Sequence, residues 1–202
     1  MTPLLDQLIE QARAFAPLEV AAVLLAIAYL LLAIRQNIGC WVCAGISTAI
    51  YVGLFIDAKL YMESALNGFY FVMAIYGWMV WRTGRTDDHE KPVVVWSPRT
   101  HALAMTAIVT ASLVNGYLLA RYSDAAYPYV DSLTTWSAIW ATFLVARKVL
   151  ENWWYWLVID VASIFIYWSR DLHLTALLFV VYVIMIPFGL VAWSRSMREQ
   201  AA

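Results

Sequence analysis

Seven stretches of this chain, residues 18–35, 38–57, 60–82, 101–120, 129–147, 150–168 and 172–193, are apolar over about the 20 residues that a helix needs to cross a bilayer. That repetition constrains the fold more than any other feature. A backbone in hydrocarbon must satisfy its own hydrogen bonds, which makes each such segment a helix. The chain is 63% hydrophobic and 13% charged, against about 25% charged in soluble domains. The expectation is an all-α integral membrane protein with seven transmembrane helices. Connections are short, except for TGRTDDHEKPVVVWSPRT after the third stretch, so residues 1–202 read as a single membrane domain. A net charge of -1 offers no basic face to nucleic acid.

The basic residues set an orientation. One side collects Arg13, Lys59, Arg121 and Arg170. The other collects Arg35, Arg82, Arg85, Lys91, Arg99, Arg147, Lys148, Arg195 and Arg198. Cytoplasmic loops carry the excess of Lys and Arg, so the N-terminus is expected outside and the C-terminus in the cytoplasm. The first residues lack the basic region of a secretory signal. Leu4, Leu5, Leu8, Ile9, Ala12 and Phe15 recur at helical spacing, as in a short interfacial helix or a frayed leader to the first span. Cys40 and Cys43 form a lone C-x-x-C inside an apolar stretch, and without a second pair they are read as neither redox nor metal site.

Sliding the chain on itself by 112 residues lays the first three spans on the last three. Arg35 then meets Arg147, Trp41 meets Trp153, Tyr70 meets Tyr182, Met73 meets Met185, Gly77 meets Gly189 and Trp81 meets Trp193, with Leu60 and Leu66 on Leu172 and Leu178. Three spans reverse the chain's direction and a fourth restores it. The two triplets, about 18–82 and 129–195, therefore read as parallel repeats joined by a connecting helix at about 101–120. Transporters built from repeats hold substrate near the midplane between them; duplication kept for packing alone is the plainer alternative. Gly77, Gly189 and Pro187 are candidates for hinges or for close helix contact.

Polar side chains inside a membrane are expensive and tend to be functional. Glu63 and Asn67 in span three, Asn115 in span four and Asp160 in span six stand out. Asn115, beside Gly116, suits an interhelical hydrogen bond, and Glu63 lies near a span end where it reaches water. Asn152, Trp156 and Asp160 are spaced i, i+4, i+8 and share one helical face. Asn67, Tyr70, Ala74, Trp78 and Trp81 fall near one face of span three. Trp153, Trp154 and Trp193 fit the aromatic belt at the membrane surface. Aromatic faces attract cations, more strongly where water is excluded. A carboxylate adds charge pairing and amides fix orientation, so the pattern suits a flat aromatic cation with a polar arm.

Competing classes fit less well. A retinal protein needs a Schiff-base lysine in its last span, and residues 172–193 contain none. No protease motif is present, and His89, His101 and His173 are isolated. The chain is therefore read as no enzyme, with no cofactor or metal. Proton coupling through Asp160 stays open.

The segments YGWMVWR at 76–82, ENWWYWLVIDVASIFIYWSRDLHLTALLF at 151–179 and QNIGCWVCAGISTAIYVGLFIDAKLYMESAL through spans two and three resemble the Pnu-type vitamin transporters. The resemblance covers roughly residues 18–195. It implies the 3+1+3 architecture, similar to that of the SWEET sugar transporters. It carries the family's W-x-x-W motif onto Trp78 and Trp81, and its Asn and Trp of span six onto Asn152 and Trp156. The usual pocket glutamine of span three falls on Asn67, one methylene shorter. With Asp160 added from the shared face of span six, substrate contacts are expected at Asn67, Trp78, Trp81, Asn152, Trp156 and Asp160, with Tyr70 and Glu63 as further candidates. The implied activity is uptake of nicotinamide riboside across a bacterial inner membrane by facilitated diffusion, with trapping by a cytoplasmic kinase, in a homotrimer. Thiamine is the nearer alternative cargo, and a SWEET-like sugar pore the more distant one.

Overall fold

The structure, a computed structural model, describes residues 17–57, 61–84, 91–123, 127–169 and 173–200. The expected N-terminal interfacial helix lies outside them. The described residues form α1 (Pro17–Ile34), α2 (Gly39–Asp57), α3 (Tyr61–Thr83), α4 (Pro98–Tyr122), α5 (Pro128–Ala146), α6 (Asn152–Trp168) and α7 (His173–Gln200). Each expected span has its helix. Four of them, α1, α2, α4 and α7 from Thr175, are long and apolar enough to cross a membrane.

Local chemistry sets the ends. Ser97 caps α4 by accepting from the Thr100 amide, and Pro98 fills the first position, where no N–H is needed. Pro128 opens α5 in the same way. The largest departure from the expected boundaries is at α7, which continues to Gln200 instead of stopping at 193. Its extra turns are polar, pair Arg195 with Glu199 at 2.9 Å, and bring Gln200 Oε1 within 3.1 Å of the Val93 amide that donates to it.

Helix α2 packs on α1 and α3, and α6 packs on α5 and α7. The two groups meet through α3 on α5 and α1 on α7, while α4 packs on α5 and touches α6 through His101, whose Nδ1 lies 3.0 Å from the Tyr155 hydroxyl. Asn115 makes the interhelical bond expected of it, its Nδ2 donating to Ser132 Oγ at 3.0 Å across the α4–α5 contact.

The centre of the bundle contains one set of contacts twice, 112 residues apart. Trp41 lies on Gly77, and Trp153 lies on Gly189. The rings of Trp41 and Trp81 meet edge to face at 5.5 Å and 88°, and those of Trp153 and Trp193 at 5.5 Å and 86°. Trp81 Nε1 donates to the Val145 carbonyl at 3.3 Å, and Trp193 Nε1 to the Ala33 carbonyl at 3.0 Å. Each triplet thus hydrogen-bonds to the equivalent carbonyl of the other, and Trp81 meets Trp193 at 6.3 Å between them. Both glycines sit where an indole leaves no room for a side chain, which resolves their role in this conformation as close packing. The belt assignment of two tryptophans is corrected: Trp153 is 2% exposed and Trp193 0%, because each fills the gap above a glycine or beside a partner ring. Trp154, 55% exposed, remains on the outer surface.

Candidate ligand cavity

Six helices, all but α4, surround a cavity of about 320 Å³. Helix α6 contributes the amide and the carboxylate of its wall. Asn152, Trp156 and Asp160 all line it, as their shared face predicts. The Asn152 amide donates to the Val149 carbonyl at 2.6 Å, while its Oδ1 has no hydrogen-bond partner among the described residues. Asp160 is buried, at 5% exposure, in a wall that is mostly apolar and aromatic, with Asn152, Ser47, Thr48 and Thr142 as its other small polar groups. A carboxylate in such surroundings attracts a cation far more strongly than one in water, and the neighbouring rings add their own attraction.

The other expected residues separate. Tyr70 lines the cavity. Trp81 does not: it is packed behind the wall among Trp41, Trp193 and Lys148. Trp78 is half-buried beneath the Arg82 guanidinium, 4.9 Å from its ring, also off the wall. Asn67 is half-buried and outside the lining in this conformation. The Glu63 side chain lies outside the described residues.

Several lining residues were not anticipated as site residues, namely Tyr29, Trp41, Thr142, Phe179 and Tyr182. Two of them had a signal in the sequence, since Tyr182 and Phe179 are repeat partners of the candidates Tyr70 and Asn67. The offset organises much of the wall, though Tyr29, Ser47, Asn152 and Phe179 have no counterpart in it. Leu30 faces the cavity opposite its counterpart Thr142, Ala44 opposite Trp156, and Thr48 opposite Asp160. Ala33 and Val145, and the tyrosines 70 and 182, complete the pairing. The frame is therefore largely twofold, and at three of these pairs the chemistry differs between the triplets. The second triplet presents hydroxyl, indole and carboxylate where the first presents Leu, Ala and Thr.

Comparison with known proteins places the chain. A family model described as Nicotinamide mononucleotide transporter matches residues 16–195. The chain belongs to this family. Among its relatives, the Nicotinamide riboside transporter PnuC of Escherichia coli is 24% identical over 182 residues, covering 78% of this chain and 76% of that one. The Riboflavin/roseoflavin transporter RibM of Streptomyces davaonensis is 23% identical over 176 residues, covering 84% and 81%. The fold is similar to the crystal structure of the vitamin B3 transporter PnuC, with a TM-score of 0.72 and 24% identity over 98% of this chain and 91% of that one. Membership of the nicotinamide mononucleotide transporter family, together with the apolar helices, makes this a multi-pass membrane transporter of vitamin type.

Proposed function

We propose that this transporter carries nicotinamide riboside into a bacterial cell. The observation that carries the reading is the buried Asp160 carboxylate facing a cavity walled by Trp156, Tyr70 and Tyr182. Nicotinamide riboside is a flat aromatic cation with a hydroxylated arm. Its ring suits the aromatic wall, its charge suits Asp160, and its hydroxyls suit Asn152 Oδ1. A volume of about 320 Å³ is at the small end of ligand pockets, which span about 300–1,000 Å³. Riboflavin is the second reading, favoured by the relation to RibM. Its three-ring system is larger and neutral, and a neutral ligand leaves the carboxylate without a counter-charge, a costly arrangement in a buried site. Thiamine is also an aromatic cation and ranks between them; a sugar has no use for Asp160.

The same proposal includes two parallel three-helix repeats joined by α4 in a 3+1+3, SWEET-like order. The paired tryptophan contacts and the reciprocal bonds to Ala33 and Val145 support it. The N-terminus is placed outside and the C-terminus in the cytoplasm, on the distribution of Lys and Arg. Transport is by facilitated diffusion, a cytoplasmic kinase traps the cargo, and the transporter is a homotrimer with one path per protomer.

The test is uptake of labelled nicotinamide riboside into proteoliposomes with all ion gradients collapsed. Wild type takes it up to equilibrium, and Asp160→Asn, which keeps the shape and removes the charge, loses at least about tenfold in apparent affinity, the equivalent of about 1.4 kcal/mol. Equal uptake by the two proteins removes the electrostatic basis of the proposal. Uptake only with a gradient removes facilitated diffusion.

A further inference from the structure

Beyond the cavity, toward the end of the bundle bearing the α1–α2 and α5–α6 connections, lies a buried layer that includes Trp81, Lys148 and Trp193. The lining descends α1 through Ala26, Leu30 and Ala33 and descends α5 through Thr142 and Val145. One turn further lie Gln36 and Lys148, which are repeat equivalents. Both adopt the left-handed backbone, with φ 55° each, an uncommon conformation for residues other than glycine. Lys148 is 1% exposed, and its Nζ donates to Gln36 Oε1 at 3.0 Å across the interface of the triplets. The same ammonium lies 4.6 Å from the centroid of the Trp81 ring. Trp81 and Trp193 complete the layer, each hydrogen-bonded to the opposite triplet. A strap lies over it: the Val94 amide donates to the Lys148 carbonyl at 3.0 Å, and the Leu150 amide to the Val94 carbonyl at 2.8 Å.

We propose that the Gln36–Lys148 clasp, seated on Trp81 and Trp193, is the gate of the transport path at this end, and that transport opens it by releasing Lys148 into water. The gate joins the two triplets where they meet, so relative movement of the triplets breaks it. A buried ammonium is what makes it reversible. Lys148 is stripped of water when the gate is closed and regains it on opening, so the closed state depends on the acceptor and the ring that replace that water. The strained backbone at both positions fits a site held by its contacts. The idea rests on the cavity being the transport path, and is independent of the cargo.

The test needs no ligand. Thr48, on the cavity wall, is replaced by Cys on a Cys43→Ala background; Cys40 is buried. A charged methanethiosulfonate reagent is applied separately to each face of oriented vesicles. Gln36→Leu, which leaves the buried ammonium without this acceptor, is expected to raise labelling from the clasp face by about tenfold or more, since hydrogen bonds to charged groups are the strong ones. Gln36→Leu with Lys148→Met makes the gate apolar on both sides and is expected to return labelling to the parent rate or below, because removing both partners restores a satisfied interior. Trp81→Phe, which weakens the cation contact and deletes the bond to Val145, gives a smaller rise and serves if the first variant does not fold. Unchanged labelling in both Gln36→Leu and Trp81→Phe overturns the gate. A double variant as reactive as Gln36→Leu overturns the role of the charge. Absence of labelling from either face in every folded variant overturns the cavity as the path, a failure of the functional proposal itself.

Discussion

Substituting Gly77 or Gly189 by Ala tests the twofold core directly. A Cβ at Gly77 falls 2.4 Å from Trp41 Cε2 and Cζ2, and one at Gly189 falls 2.3 Å from Trp153 Cη2. Carbon atoms pack at about 3.5–4.0 Å, so each methyl overlaps its indole by more than 1 Å. Neither indole can withdraw freely. Trp41 is pinned against Trp81 at 5.5 Å and Tyr29 at 6.1 Å, and Trp153 against Trp193 at 5.5 Å. Overpacking of this kind costs about 1–3 kcal/mol, against a helix-propensity gain of up to about 1 kcal/mol for Gly to Ala. The net expectation is a loss of roughly 2 kcal/mol at each site relative to a glycine with open space, which is about 4–8 °C in melting temperature for a chain of this size. Gly53 and Gly68, where nothing lies within 4 Å of an added Cβ, are the controls. The assay is thermal unfolding in detergent followed by intrinsic fluorescence. The double variant should fall short of the sum of the singles, since the two indoles share the Trp81–Trp193 contact. Gly77→Ala and Gly189→Ala melting at or above both controls would refute the packing argument.

Two further predictions follow from the cavity and its surroundings. Exchanging Thr48→Asp with Asp160→Thr moves the carboxylate across the cavity without changing its charge; binding of a cationic ligand should stay at least about tenfold weaker than wild type by calorimetry, because Asn152 and Trp156 remain on α6, and full recovery would mean that net charge alone matters. Trp153→Leu should cost about 3 kcal/mol in the same thermal assay, whereas Trp154→Leu, at an exposed neighbour, should stay within about 0.5 kcal/mol; equal effects would contradict the burial assignment.

Hydrophobic run length located the helices of the described residues, because bilayer thickness fixes the length of a span independently of its neighbours; four of them are long and apolar enough to cross a membrane. The end of α7 escaped that logic: its last turns are polar and are held by Arg195–Glu199 and by Gln200 reaching Val93. The face of α6 was legible because i, i+4, i+8 spacing depends on the helix alone. Trp153 and Trp154 were not separable from sequence, since adjacent residues point about 100° apart and only tertiary contact says which direction is inward. The Gln36–Lys148 clasp was invisible for a related reason. Lys148 lies in a basic connection between two spans, and nothing local indicates that a left-handed backbone turns it under the opposite triplet. The repeat offset, which reveals the two triplets, also pairs Thr48 with Asp160 and Gln36 with Lys148 before any coordinate is known, although it does not show that the second pair touches.

The central claim is that Asp160 and the aromatic wall select a cation. Its most direct measurement is calorimetric titration of the purified transporter with nicotinamide riboside, thiamine and riboflavin, each repeated on Asp160→Asn. Saturable binding of nicotinamide riboside to the wild type, at least about tenfold weaker binding to the variant, and no competition from riboflavin are expected. Binding of riboflavin alone, unaffected by Asp160→Asn, would contradict it.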